Sequence, residues 1–422
     1  MKINYILKLV LVLLISANIN AQNWYLNQVL VGSGGNFSDP DNHVTISSYN
    51  TINQITSDFG SILTQSIQDI IIVDNYAYIA AQDSIAKYDI DSYEKLAITS
   101  AIGVNKLHMA NNKLVASFQY PEIDNFIKIY EIHNLDLISS ISEVSGEAAG
   151  LTSIDNFIYA AVNGGWAGTV GKIAIIDIHD LSFIQEVNLD SLGKGIKDLF
   201  VHENQVLSVN VTPWGGTTGH ISVIDQYGSI SNSYMIPATI GSLVGVKNNM
   251  IYTVMNNGVG SIDMETMTIV DESVIDQPPL TISCAKLDTL NNEFYVSTTN
   301  YSSMGEGTIF DLNGFQIGSY TAEISPDAMA FDYRDNSNIN EAELYLTNIY
   351  PNPASSKINV QTQIDDVKSV IVVDNLGRII YENSGSNFKN LISIDISSFN
   401  SGIYTLRLTN NVGVSSSKFI KQ

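Results

Sequence analysis

Apolar and polar residues alternate in short runs along most of this 422-residue chain, and the runs close on Asn, Asp and Gly. A period of two over five or six residues predicts half-buried β-strands, and the Asx and Gly positions supply the left-handed backbone that tight hairpins need. One line returns at intervals of roughly 37 to 48 residues, a strand that ends on an acidic turn. It reads His43-Val44-Thr45-Ile46-Ser47, Ile85-Ala86-Lys87-Tyr88-Asp89, Ile127-Lys128-Ile129-Tyr130-Glu131, Ile173-Ala174-Ile175-Ile176-Asp177, Ile221-Ser222-Val223-Ile224-Asp225, Val259-Gly260-Ser261-Ile262-Asp263 and Thr308-Ile309-Phe310-Asp311. Before most copies lies an Asn-containing turn and an aromatic strand, as in Asp74-Asn75-Tyr76-Ala77-Tyr78 and Asp155-Asn156-Phe157-Ile158-Tyr159. Seven such periods, with four short strands each, predict an all-β fold built on a seven-bladed β-propeller. The chain ends support closure: strands expected at 29–31, 43–47 and 52–56 lack an inner partner, and an inner strand expected at 328–333 lacks a blade. Together they make one blade shared by both ends, which an open β-solenoid would not need.

Two segments stand outside this pattern. Residues 1–21 carry Lys2 and Lys8 around an apolar core, 9–15, too short to span a bilayer, and they read as a signal peptide cleaved after Ile19-Asn20-Ala21. No cysteine follows that point, so no lipoprotein anchor is expected. The last 80 or so residues alternate between Gly and Asn turns and predict a small Ig-like β-sandwich. Charge separates them from the ring: the chain has 43 acidic against 20 basic residues, a net charge of -23, and nearly all the excess lies before residue 344. The expected domains are therefore 1–21, 22–340 and 341–422. Such acidity repels a phosphate backbone, so nucleic acid is not an expected partner. With Cys284 as the one cysteine, an intrachain disulfide, a multi-cysteine zinc site and a CxxC pair are excluded.

The I-x-V-I-D strands at 173–177 and 221–225 resemble the repeat of the YncE-like, or YVTN-repeat, family of seven-bladed propellers, a likeness that implies fold far more than function. The tail is similar to the type A C-terminal sorting domain of the type IX secretion system of Bacteroidota. The residues that carry this likeness are Tyr350-Pro351-Asn352-Pro353-Ala354, Val373-Asp374-Asn375-Leu376-Gly377-Arg378, Ser401-Gly402-Ile403-Tyr404 and Lys418-Phe419-Ile420-Lys421. It implies that Tyr350, Pro351, Asn352, Pro353, Asp374, Gly377, Arg378, Gly402, Tyr404, Lys418 and Lys421 form a sorting signal read by the type IX translocon. The implied address, after signal-peptide export to the periplasm, is the outer-membrane surface or the extracellular space.

Five long loops, 32–42, 119–125, 163–171, 212–219 and 299–307, fall between the second and third strands of their blades and so belong on one face of the ring. Grouped long loops on a rigid scaffold are where binding usually resides. Two are near copies, W-x-G-T-x-G-x-I beginning at Trp166 and at Trp214, and Phe37, Tyr120 and Tyr301 occupy the loops of other blades. Flat aromatic faces suit a planar, corrinoid-like molecule or a sugar ring; packing of the indoles between blades is the competing expectation. His133 and His179 occupy matching turns on the opposite face. The recurring Asp89, Asp177, Asp225, Asp263 and Asp311 read as turn residues, and Asp39-Pro40-Asp41-Asn42 as a solvated loop. No HExxH or G-x-S-x-G occurs, and no cofactor or metal site is predicted. The expected function is a non-enzymatic ligand- or partner-binding propeller at the cell surface. The alternatives are a propeller lyase, lactonase or glycan hydrolase with inward carboxylates, and a purely adhesive or structural surface protein.

Overall fold

In the computed structural model, which describes residues 24–335, 348–362, 367–374, 378–384, 391–409 and 414–422, the alternating runs form strands throughout. The helical elements among these residues are two 3-10 turns, Gly165–Ala167 and Asp190–Gly193. The chain divides into a compact unit over Tyr25–Arg334 and a second over Asp335–Gln422.

The first unit holds seven four-stranded sheets. In blades 2 to 7 four consecutive strands lie side by side, and the first of each, Ile67–Val73, Val104–Ala110, Ala148–Ile154, Ile196–His202, Ile240–Lys247 and Thr281–Asp288, touches the first strand of the next blade. These are therefore the inner strands around the ring axis. Blade 1 is assembled from both ends of the unit: Pro326–Asp335 lies beside Trp24–Ser33, followed by Val44–Asn50 and Ile55–Ile62. The strand expected at 52–56 is displaced, because Asn50 Oδ1 accepts the backbone N–H groups of Ile52 and Asn53 (both 3.0 Å) and folds that stretch into a turn.

Burial follows the interfaces between blades. There are seven apolar clusters in this unit, each joining two neighbouring sheets, from Ile46, Ile70 and Tyr88 between blades 1 and 2 round to Val29, Tyr295 and Tyr320 between blades 7 and 1. A strand with both faces buried needs apolar residues on both, which explains runs such as Ala77, Tyr78, Ile79, Ala80 and Ala81, all at 2% exposure or less. The seventh cluster closes the circle. Its polar counterpart is Asp332 on the blade 1 inner strand, which accepts from Asn27 Nδ2 (2.9 Å) and Gln28 Nε2 (3.0 Å) and pairs with Arg334 Nε (2.5 Å).

Turns between the third and fourth strands are held by the recurring carboxylates. Asp89, Asp177, Asp225, Asp263 and Asp311 each accept two backbone N–H groups two to four residues ahead, and Glu131 does the same. The repeat therefore marks Asx turns rather than acid–base chemistry.

The second unit has a three-stranded sheet (Asn348–Tyr350, Lys357–Gln361, Leu391–Asp395) and a four-stranded sheet ordered Ile379–Ser384, Ser369–Val373, Gly402–Thr409, Val414–Lys421. Ile358, Val360, Val370, Val372, Leu406 and Phe419 from the two sheets share one core.

Candidate functional site

Inner strands begin at the end of the ring where the second-to-third-strand loops lie, so the five long loops surround the mouth of the axial channel. Blades 2 and 6 have two-residue turns at this position, 82–83 and 256–257. The long loops consequently fall into two arcs. One joins blades 3, 4 and 5: Tyr120 N–H donates to Glu147 Oε2 (2.9 Å), Asn163 N–H to Glu147 O (3.1 Å), Gly195 N–H to Gly168 O (3.0 Å) and Val211 N–H to Gly195 O (2.8 Å). The other joins blades 7 and 1, where Gly34 N–H donates to Ser325 O (2.7 Å), Gly305 N–H to Glu323 O (3.1 Å), and Gln65 Nε2 to the carbonyls of Asn36 (2.8 Å) and Asp39 (2.7 Å). Asn42 Oδ1 further accepts the Asn36 N–H (2.6 Å), so 39–42 serves the loop's own turn.

The aromatic residues singled out in the sequence sit on these arcs. Trp214 is 98% exposed, Phe37 79%, Tyr120 78% and Tyr301 52%. The expectation that the indoles plug the blade interfaces is therefore corrected at Trp214: Gly216 N–H closes a turn on Pro213 O (2.8 Å) and Gly215 has φ +78°, which lifts the tryptophan away from the ring. Beneath it is a cavity of about 330 Å³ lined by Thr212, Thr239, Ile240, Asn256 and Asn257. Trp166 lies on the Gly165–Ala167 turn, and its side chain is outside the described residues. The aromatics thus share a face but form two groups, Phe37 with Tyr301 and Tyr120 with Trp214. His133 and His179 are on the opposite face; Asp177, His179 and Asp180 lie close together there, exposed, with Asp177 Oδ1 engaged by its turn.

Sequence reasoning missed the channel. A β-bulge near the start of each inner strand in blades 2 to 7 re-aims side chains toward the axis. There Lys106 Nζ donates to Gln68 O (2.9 Å) and stands 3.8 Å from Asp69, while Lys197 Nζ donates to Ser242 Oγ (2.8 Å). Asp69 and Asp198 accept the Leu107 and Leu243 backbone N–H groups of the following blades (3.0 and 2.9 Å). Burial works against the charge on Lys106, but Asp69 and Asp198 outweigh it and hold its pKa above the usual lysine value; at Lys197 burial prevails and lowers it. Burial pushes Asp327 of blade 1 up to about 7 and raises the Cys284 thiol; burial, with Asp327 adding to it, raises the Tyr301 phenol.

In the second unit, motifs far apart in sequence meet. Asn352 Nδ2 donates to Lys418 O (3.3 Å) and Asn352 Oδ1 accepts the Ile420 N–H (2.9 Å). Ala354 bridges in parallel to Lys421, with Ala354 N–H on Ile420 O (2.8 Å) and Gln422 N–H on Ala354 O (2.9 Å). Tyr350, Pro351 and Pro353 lie exposed beside this clasp. Gly402 pairs with Lys421, and Tyr404 stacks on Phe419 at 5.6 Å while its hydroxyl donates to Asn400 O (2.8 Å). Arg378 pairs with Asp374 (Nε to Oδ2, 2.7 Å), and Gly377 lies outside the described residues. The first and last motifs thus form one surface.

Residues 348–422 match the secretion system C-terminal sorting domain. This sorting domain directs the chain through type IX secretion to the cell surface or the extracellular space. No helix among the described residues is long and apolar enough to cross a membrane; residues 1–21, read as a signal peptide, lie outside them. No curated protein matches the chain. Among solved structures, a functionally unknown protein from Desulfotomaculum acetoxidans is similar at 14% identity, covering 72% of this chain and 98% of that one, with a TM-score of 0.55. Hydrazine synthase of Kuenenia stuttgartiensis follows at 11% identity, 63% and 89% coverage, and 0.54. PorZ of Porphyromonas gingivalis, a surface component of the type IX secretion system, aligns at 12% identity over 90% of this chain and 56% of its own, with 0.43. Identities this low speak for fold alone.

Proposed function

We propose that residues 22–340 form a YncE-like, non-enzymatic capture module that a type IX sorting tail delivers to the cell surface, and that the long-loop face binds its ligand. The observation that carries this reading is the display of Phe37, Tyr120, Trp214 and Tyr301 in solvent on one face, on loops cross-tied by backbone hydrogen bonds. Large exposed aromatics on a rigid frame lose little entropy on binding and offer flat apolar area. A planar corrinoid-like molecule or a glycan suits that chemistry, and the cavity under Trp214 adds the amide of Asn257 and the Thr239 edge as polar contacts.

The test is equilibrium binding of the exported protein to a corrinoid and glycan panel, repeated with Trp214→Ala. With an indole this exposed, the substitution should leave stability within about 0.5 kcal/mol and reduce affinity at least tenfold. Affinities no better than about millimolar throughout the panel would remove the reading and favour an adhesive role.

A further inference from the structure

Of the eleven Lys and Arg residues between 25 and 334 in an otherwise acidic segment, two stand on inner strands at the long-loop end of the channel. Lys106 of blade 3 reaches back to blade 2, and Lys197 of blade 5 reaches forward to blade 6. Both therefore lean away from blade 4, which offers only Ala149 and Gly150 at this level, and toward the wall made by blades 7 and 1. A Cβ on Gly150 would stand 2.4 Å from Lys197 O, so blade 4 cannot fill the space. On the facing wall are Ser283, whose hydroxyl donates to Pro326 O (2.8 Å), Cys284 and Asp327. Burial raises the Cys284 thiol against the fields of Lys286 and then Lys106, and Cys284 in turn acts on Lys106 and Lys197.

We propose that this channel mouth binds a small oxyanion, a carboxylate or a tetrahedral anion, between the Lys106 and Lys197 ammonium groups and the Ser283–Asp327 wall. An ammonium has three donors. Lys106 spends its own on Gln68 and Asp69, whereas Lys197 has a single serine partner and no ion pair among the described residues. Asp69 and Asp198 are anchored by backbone N–H groups, which fixes them as walls rather than as mobile counter-ions. Asp327 has no hydrogen bond or ion pair among the described residues, and below pH 7 its protonated carboxyl donates to an anion instead of repelling it. The charged and titratable neighbours are Asp69 on blade 2, Lys106 and His108, whose pKa burial lowers, on blade 3, Lys197 and Asp198 on blade 5, Cys284 and Lys286 on blade 7, and Tyr301 above them. Asp327 is the member whose charge changes between pH 6 and 8.

Titration calorimetry of the full chain with sulfate and with acetate, neither of which changes charge between pH 6 and 8, tests this and separates the tetrahedral from the planar anion. One site per chain is expected for at least one probe, weakening about tenfold from pH 6 to pH 8 as Asp327 ionises. Asp327→Asn should bind equally at both pH values, and Lys197→Gln should bind at least tenfold more weakly. Because Cys284 is the sole cysteine, alkylation locates the site: the bound anion should slow its reaction with iodoacetamide, and Lys197→Gln should erase that protection. Equal affinity in wild type and Lys197→Gln, or pH-dependent binding that survives in Asp327→Asn, overturns the proposal. So does anion protection of Cys284 that Lys197→Gln leaves unchanged. Trp214→Ala should leave these readouts unchanged, so failure here is distinct from failure of the loop-face reading.

Discussion

Asp332→Ala should open the seam on which the ring depends. Asp332 is 1% exposed and is the meeting point of both chain ends, taking Asn27 and Gln28 from the N-terminal strand and Arg334 from its own. Gln28 is held further by Ile90 O (3.0 Å) and by Tyr93 Oη (2.9 Å), so the amide survives the substitution; Asn27 loses this partner, and Arg334 keeps only exposed Asp91 and Asn75. Arg334 stays paired with Asp91, so the loss is that of the buried carboxylate's hydrogen bonds to Asn27, Gln28 and Arg334, about 1–3 kcal/mol. For a ring of this size that is a fall in Tm of roughly 2–5 °C. Thermal denaturation followed by tryptophan emission reports on the ring alone, since Trp24, Trp166 and Trp214 all precede residue 335. Asp332→Asn retains an acceptor and should fall between wild type and Ala. The comparison is Asp263→Ala, which removes a carboxylate that serves only an exposed turn. If Asp332→Ala shifts Tm by no more than Asp263→Ala, ring closure does not rest on this network and the reasoning fails.

Backbone N–H groups hold Asp89, Asp225, Asp263 and Asp311 below the usual carboxylate range, so around and below that range the folded chain binds fewer protons at these turns than the unfolded one; their contribution to stability is fully present above about pH 5 and falls as acid titrates them, a slope in urea midpoints below about pH 4 that Asp225→Asn reduces. Asp327 has the opposite sign: burial holds its proton up to about pH 7, stability is lost as pH rises from about 4 to 7, and Asp327→Asn should stabilise the protein at pH 8 by about 1–3 kcal/mol in urea titrations. Gly150→Ala places a Cβ 2.4 Å from Lys197 O and 2.9 Å from Asp198 Cα, and should cost about 1–3 kcal/mol by the same measurement. Asn352→Ala removes both hydrogen bonds of the clasp to 418–420, and should lower the amount of protein reaching the cell surface, scored by protease accessibility on intact cells, while the ring folds as before.

Repetition explains what could be read from the amino-acid sequence. Each blade of the ring needs one turn between its third and fourth strands, and in five of the seven an aspartate holds it, so Asp89, Asp177, Asp225, Asp263 and Asp311 announce both the period and their own structural role. Likewise, the missing inner strand at one end and the spare at the other pointed to the shared blade. What repeats legibly is scaffold, and a site is a departure from it. The strand at 52–56 was misplaced for a related reason: Asn50 captures two N–H groups locally, and a side-chain hydrogen bond of that kind leaves no trace in apolar alternation. The display of Trp214 depends on a turn whose outward direction no pattern of residues reveals.

The channel charges were illegible taken singly, yet the inner strands hold a usable signal. Ile67-Gln68-Asp69-Ile70, Val104-Asn105-Lys106-Leu107, Ile196-Lys197-Asp198-Leu199 and Ile240-Gly241-Ser242-Leu243 keep their apolar ends, which pack between blades, while the two residues between vary, with Asp69 and Asp198 sharing one position that Lys106 and Ser242 fill elsewhere. If those middle positions served only to hold neighbouring blades together, as Asp69 and Asp198 do through Leu107 and Leu243, one chemistry would suffice for all seven. Variation on a constant frame is what the proposed anion site requires, because in a ring those positions converge on the axis.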